Sequence, residues 1–531
     1  MKPLAIIFAA LVIAAGFGVS AAERTSRLVA PGADGRLVYK ADARGNRIAD
    51  FSHAGYGGGG VALPMVAVKA RLAPGDGDDG ARIQAAIDRV AALAPDANGI
   101  RGAVQLGQGQ FEVAGQIHIS ASGIVLRGAG QGEGGTRLRA TGTGKRRLIV
   151  VKPRGRMGGK TRRKREVPGT RRAILDAYVP VGAISLRVAG AGDFTVGDAI
   201  VVIRPSTAKW IRAIGMDRIP ERRDGRRIKQ WKPGKYDIHY NRVIVAVGGE
   251  RIRLDAPLFH AIDRDYGGGF VAKYDTNGLL SQIGIEALSG VSDSDGSGDD
   301  EDHARSLIFM DFVHNGWVRN VSATGFVYSA VELGYSNKWI TVQDSQFLDP
   351  VSRISGGRRY GFKLQGQLNL GQRLFARNGR HDFVVGRQYS SGVVFLDSRS
   401  VGAHSITEPH HRYSTGILYD NISMEKTNTD LAIALWNRTN KGSGHGWAAA
   451  NSVVWNATAD GGIAVEKPPL AQNYCIGCRS DTMSAGLGGR KRNLSALFAP
   501  KDAHWEHWNT GPVTPRSLYR AQLRDRLGAQ A

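Results

Sequence analysis

The sequence predicts an all-β chain: a right-handed parallel β-helix solenoid with an N-terminal capping helix and a β-rich insertion. Three observations carry this. Glycine makes up 71 of 531 residues, about 13% against a usual ~7%, while aromatic and β-branched residues stay ordinary, which suits many short strands joined by tight turns. Strand-like pieces in the second half close on a polar residue at a recurring interval. Two cysteines cannot staple a chain of this length, so stability must come from core burial along an elongated repeat.

The interval is an internal test, because a solenoid repeats one apolar–polar unit per coil. The closing residues Asn320, Asp344, Gln372, Asp397, Asp420 and Asn456 give spacings of 24, 28, 25, 23 and 36 by subtraction. Four cluster near one value, and the last reads as a coil with an insertion. Each coil buries its inward side chains only against its neighbours, so strand character recurs without any long strand.

The ends and the middle divide the chain further. Lys2 and an apolar run from Leu4 to Val19, closing on Ser20, Ala21 and Ala22, read as a signal peptide over 1–22. The run is shorter than the ~20 residues of a comfortable membrane span. The mature chain is therefore expected to be secreted or periplasmic, without a transmembrane segment. Residues 23–60 read as a linker containing Gly57–Gly60, and 61–174 as the start of the solenoid. Within it Ile83, Ile87 and Val90 fall at helical spacing, predicting a helix over Ala81–Leu93. Residues 175–270 read as a β-rich insertion, 271–489 as the coils that carry the site, and 490–531 as a tail. The tail's Leu518, Leu523 and Leu527 can share a helical face. Cys475 and Cys478 fit a local disulfide in an oxidising compartment. A redox site there would want a βαβ context that is absent.

The formal charge of +24 and pI near 10.2 imply a polyanionic partner. For an exported chain that partner is an acidic polysaccharide, a lipopolysaccharide or the envelope surface. No nucleic acid is expected, because no recognised binding motif accompanies the charge. The basic runs Lys145–Arg147, Lys160–Arg165 and Arg222–Lys229 read as solvated loops before polyanion contacts, since like charges repel. The chain is expected to act as a monomer.

After the helix come Gly102-Ala-Val-Gln-Leu-Gly, Gly109-Gln-Phe-Glu-Val and Ile124-Val-Leu-Arg-Gly-Ala-Gly130. This order resembles the amino-terminal cap and first coils of the pectate-lyase-like superfamily, in which the helix plugs the open end of the solenoid. The set Arg-Arg-Tyr, Arg-His-Asp-Phe, Glu-Pro-His-His-Arg-Tyr and Gly-His-Gly-Trp is similar to a bacterial branch of that superfamily. The resemblance covers roughly residues 60–140 and 305–530. It implies the fold more strongly than the chemistry. The Arg-x-Pro-x-x-Arg pattern of pectate lyases is missing, so their catalytic arginine has no counterpart here.

Ionisable side chains concentrate between Arg353 and Trp447. They fall in four segments, Gly357–Lys363, Gly379–Phe383, Glu408–Gly416 and Gly442–Trp447, expected on successive coils ~4.8 Å apart. β-Elimination of a uronate needs a cation to neutralise the carboxylate and a base for the C5 proton. His381, His411, Arg412, Lys363 and Tyr413 are the catalytic candidates. Arg358, Arg359, Tyr360, Arg380, His410, His445 and Trp447 are the substrate-binding candidates. Bland readings stand beside these: ladder or turn histidines, surface arginines, a core tryptophan. His410 and His411 are expected to point to opposite sides, and His381, one of that pair and Arg412 to lie close together.

Inverting hydrolysis would need two carboxyl groups ~6.5–9.5 Å apart. Asn428-Thr-Asp430 and Gly444-His-Gly446 copy two short motifs of β-helix polygalacturonases. The paired aspartates and the Arg-Ile-Lys of that family are absent, so the copies read as coincidence. No metal ligands are assigned. The acidic loop Asp293–Asp302 leaves Ca²⁺ open as a cofactor, although a hard cation needs six to eight oxygens and a solvated acidic turn explains the loop as well. The expected function is an exported polysaccharide lyase. A non-catalytic glycan-binding solenoid and a glycoside hydrolase are the alternatives.

Overall fold

The computed structural model describes residues 24–155, 165–484 and 503–528. The expected signal peptide lies outside them, as do most of the Lys160–Arg165 run and part of the tail. Among the described residues no helix is long and apolar enough to cross a membrane.

The chain forms a parallel β-helix solenoid, each coil pairing in parallel with the next. One inward ladder runs through Val104, Leu126, Ile285, Val318, Val342, Gly371, Phe395, Tyr419, Val454 and Cys475. Phe395 and Tyr419 stack with ring centroids 5.5 Å apart. At Gly371 a side chain would meet Leu364 and Leu374, which close the core there. The expected capping helix spans Gly80–Ala91 and buries Ile83, Ala86, Ile87 and Val90 over the open end.

The coils bend at residues held in the left-handed conformation. On one corner these are Asn320, Asp344, Arg373, Asp397, Asn421 and Asn456, with φ between 47° and 55°. Short polar Asn and Asp tolerate that conformation, which is why they recur. Gln372 and Asp420, expected as coil closers, stand one residue earlier, on strand positions that pair with Leu396. The repeat was visible, but the residue that marks it is the corner and not the strand end.

Between Arg172 and Lys273 the chain leaves the solenoid for a six-stranded antiparallel sheet. Phe259 of this insertion wedges onto a corner ladder of the solenoid. A Cβ at Gly392 or Gly416, both at positive φ, would lie 2.6 or 2.1 Å from its ring. Glycine here is a requirement of close approach. The insertion buries Trp210, Ile214, Met216 and Trp231 against Leu418, Trp447 and Val453.

Residues 24–60, expected as a linker, are docked on the solenoid instead. Arg526 of the C-terminal helix Leu518–Leu527 donates to Ser52 O, Gly58 O and Gly59 O, and Phe51 N donates to Gln522. That helix buries Leu518, Tyr519, Ala521 and Gln522 and leaves Leu527 46% exposed, so its inner face is rotated from the expected leucine stripe. Cys475 and Cys478 form a disulfide.

The buried Asp420 carboxylate anchors the same helix, accepting from Ser517 Oγ (2.7 Å) and Tyr519 N (2.8 Å). Burial pushes its pKa up from 3.8 to about 7. The folded state thus keeps a proton that the unfolded chain releases. Its contribution is full below about pH 4 and is lost as pH rises through 7. Asp420→Asn keeps an acceptor for the two donors, and its melting temperature is expected to fall less than the parent's between pH 5 and 8. Parallel curves for the two proteins would refute this.

Candidate active site

A pocket of about 480 Å³ opens on the outer side of the solenoid, where the sheet carrying Ser329–Leu333, Phe362–Leu364 and Phe383–Val384 continues into the next coils. Strand alternation sets Glu332, Lys363 and Val384 in one row, because they are register partners on successive coils. Tyr360, Lys363, Arg380, His410, His411 and His445 line the pocket, together with Tyr328, Gln365, Arg438 and Arg226.

Tyr360 is buried against Tyr328, His381 and His410, with centroids 5.0, 4.9 and 5.2 Å away. Burial, reinforced by Tyr328, pushes its pKa up to about 12. Its hydroxyl lies 3.0 Å from His410 Nε2. His410 Nδ1 faces Glu408 Oε1 at 3.3 Å, close but off the line of a hydrogen bond. Glu408 is fully buried; its other oxygen accepts from Trp436 Nε1 at 2.6 Å, and Arg438 Nε lies 3.1 Å from Oε1. Tyr360, His410 and Glu408 therefore form a line from pocket wall to buried carboxylate.

The four histidines here are held neutral. Desolvation lowers His381, His410 and His411 well below 6.5 and takes His445 to about 3, with neighbouring arginines adding to the effect. His381 Nδ1 contacts Ile406 O at 2.6 Å and can only donate there, so the ring is the Nδ1–H tautomer. His411 Nε2 accepts from Arg387 Nε at 3.2 Å, which leaves Nδ1 carrying the hydrogen. That Nδ1 is buried beside Gly386, and with Nε2 engaged by Arg387 the ring has no lone pair left for the role of base.

Several expected residues stand elsewhere. Tyr413 is buried beneath the insertion, 3.2 Å from His260 and edge-on to Trp210. Trp447 is buried beside it and donates to Ile214 O at 3.2 Å. The cause is local: Arg412 and Tyr413 both have positive φ, 55° and 73°, and turn the chain out of the pocket. His410 and His411 precede the strand Ser414–Asp420 and stand in a bend, where alternation does not apply, so both face the same pocket, their centroids 5.7 Å apart, and not opposite sides. Arg412 bonds Ser443 Oγ at 2.7 Å. Arg358 is held by Glu301, and Arg359 points inward to Ser352 O. His381 sits behind Tyr360 as a second layer.

Glu408 and Arg438 escaped sequence reading. Glu408 stood inside a segment already singled out, while Arg438 lies between the third and fourth of those segments. Its coil position was the available signal: Thr407 bridges Ile433 on the next coil, which carries Arg438 alongside His410. Gly-His-Gly also has a structural account. A Cβ at Gly444 or Gly446 would lie 2.9 Å from Ile228 or 2.3 Å from Met216, so both glycines admit the insertion and leave His445 facing the pocket.

His381, Glu408 and His410 offer ligand atoms within 4.8 Å of one another, a donor set that suits a borderline cation such as zinc. Arg438 already supplies a fixed positive charge at the same carboxylate oxygen, and Lys363 and Arg380 line the same pocket, which disfavours a second cation. In the acidic loop, Asp300 accepts from the Asp295 and Asp302 amides and Glu301 pairs with Arg358 and Lys145. Among the described residues that loop forms no convergent cation cage.

No family model and no curated protein matches this chain. Among solved structures it is similar to the tailspike protein gp49 from Pseudomonas phage LKA1, at 14% identity and TM-score 0.40, over 77% of this chain and 65% of that one. The chain thus spans less than two thirds of that tailspike. It is also similar to the Azotobacter vinelandii mannuronan C-5 epimerase AlgE6 A-module, at 11% identity and TM-score 0.30, over 84% and 100%. A third is the tailspike of E. coli bacteriophage HK620 in complex with pentasaccharide, at 10% identity and TM-score 0.38, over 86% and 61%. With every TM-score below 0.5, the strand register of the chain itself carries the fold.

Proposed function

We propose that this protein cleaves an acidic, uronate-containing polysaccharide by β-elimination. The observation that supports it is a pocket lined by arginines, a lysine and neutral histidines and, among the described residues, by no carboxylate, with a Tyr360–His410–Glu408 line in its wall. Inverting hydrolysis needs two accessible carboxyl groups ~6.5–9.5 Å apart; Glu408 is buried behind His410, and the pocket offers no second.

In this reading Arg380, Arg438 and Lys363 neutralise the uronate carboxylate and lower the barrier to removing the C5 proton. Tyr360 takes that proton as its own passes to His410 Nε2, and Glu408 stabilises the imidazolium. The electron pair left at C5 forms the C4–C5 double bond while the C4–O bond breaks. The proton on His410 then returns through Tyr360 to the departing oxygen, so the site ends as it began. Incubation with a panel of polyuronates, read by absorbance of the unsaturated uronate, is expected to give a signal with at least one. New reducing ends without that absorbance would make the protein a hydrolase. Saturable binding without product would make it a glycan-binding solenoid.

A further inference from the structure

The insertion carries a loop, Arg222–Lys229, with five cations and the single carboxylate of Asp224. Arg222 and Arg226 both contact Asp224. Arg223, Arg227 and Lys229 are exposed. Repulsion among such charges favours letting the loop drift into solvent. The fold instead pins it down beside the pocket.

Three contacts hold it there. Arg222 Nη1 donates to Asn440 O at 3.2 Å, Asn440 Nδ2 to Glu221 O at 3.0 Å, and Lys229 N to Ser443 O at 3.1 Å. Ile228 is buried, and Gly444 at φ 85° leaves room for its side chain. The segment it docks on, 440–444, leads directly into His445, and Arg226 lines the same pocket as Tyr360, His410 and Arg438. A cationic strip is thereby held at the rim of a pocket that is itself cationic, an arrangement that costs electrostatic energy unless a polyanion crosses both.

We infer that Arg223 and Arg227, on either side of the pocket-lining Arg226, bind the uronate units that flank the one in the pocket, making the insertion a clamp selective for chains of dense negative charge. The inference rests on the proposed function and adds that the site reads several acidic units. The pocket measures about 480 Å³, and the exposed Arg223 and Arg227 lie outside its lining, where further units of a longer chain would pass.

The test is the double variant Arg223→Ala/Arg227→Ala, which leaves the pocket-lining Arg226 in place, in a full-length chain whose melting temperature matches the parent's. On the polyuronate that the parent cleaves, KM is expected to rise about 10–100-fold with kcat within about threefold, because the clamp holds substrate equally before and during reaction. The salt dependence of binding should flatten, since two charge contacts are gone. On the shortest cleavable oligouronate the change should be less than about threefold. An unchanged KM on polymer, or an equal loss on the shortest substrate, would overturn the clamp. Titration of polygalacturonate by calorimetry reads the loop without turnover: weaker binding by the variant supports the clamp even where no uronate is cleaved, and equal binding refutes it.

Discussion

Replacing Tyr360 by Phe is expected to lower turnover of a polyuronate by roughly 10²–10⁴-fold, the usual contribution of a positioned proton-transfer group. The phenyl ring keeps the contacts with Tyr328, His381 and His410, so the fold should be retained. What goes is the hydroxyl 3.0 Å from His410 Nε2. In the proposed mechanism the proton route from substrate to His410 is then broken, while the cations proposed to bind the carboxylate stay in place. KM should therefore move by less than about threefold. Initial rates of double-bond absorbance, with the melting temperature measured alongside, check the claim. A variant retaining a third or more of parental kcat would remove Tyr360 from the chemistry. Where the loss is found, equal losses in His410→Ala and in the double variant would mean that the two act as one unit.

The second large effect falls on stability. Glu286 is 1% exposed and accepts from Arg127 Nε at 2.5 Å, Arg319 Nε at 2.6 Å and Trp317 Nε1 at 3.0 Å. Arg127 stands on the coil before Glu286, and Trp317 and Arg319 share the coil after it, so one carboxylate ties three successive turns of the solenoid. Glu286→Ala strands two guanidinium groups and an indole N–H. Breaking a buried pair costs about 3–5 kcal/mol. The arginines keep 17% and 25% side-chain exposure and can turn partly to water, which places the expected loss near the lower end of that range. Denaturant unfolding followed by tryptophan fluorescence reads it. A loss under about 1 kcal/mol would show that the arginines rehydrate freely and the tie is weak.

Local chemistry made much of the solenoid legible. Recurrent Asn and Asp, the amphipathic run from Ile83 to Val90, and the change of character near Leu175 each follow from what one residue type tolerates. Errors of one residue, as at Gln372 and Asp420, arose because a polar residue ending a strand and a polar residue turning a corner look alike in sequence. Their difference is a φ angle.

The site was legible in outline and not in detail. The sequence by itself determined that arginines, histidines and tyrosines of Gly357–Trp447 would recur at coil spacing, because a parallel ladder converts a spacing of about 25 residues into adjacency. Only the tertiary structure decided which side chains meet. Two consecutive left-handed residues, Arg412 and Tyr413, send one candidate tyrosine under the insertion, and the bend before them leaves both His410 and His411 on the same side. Burial then decided chemistry: it keeps the histidines neutral, hides Glu408 behind His410, and brings Arg438 and Arg226 to the pocket from outside the segments where the candidates lay. The physical reason is that a ladder fixes height along the axis, whereas direction and charge state depend on backbone angles and desolvation, and these are set by residues distant in the chain.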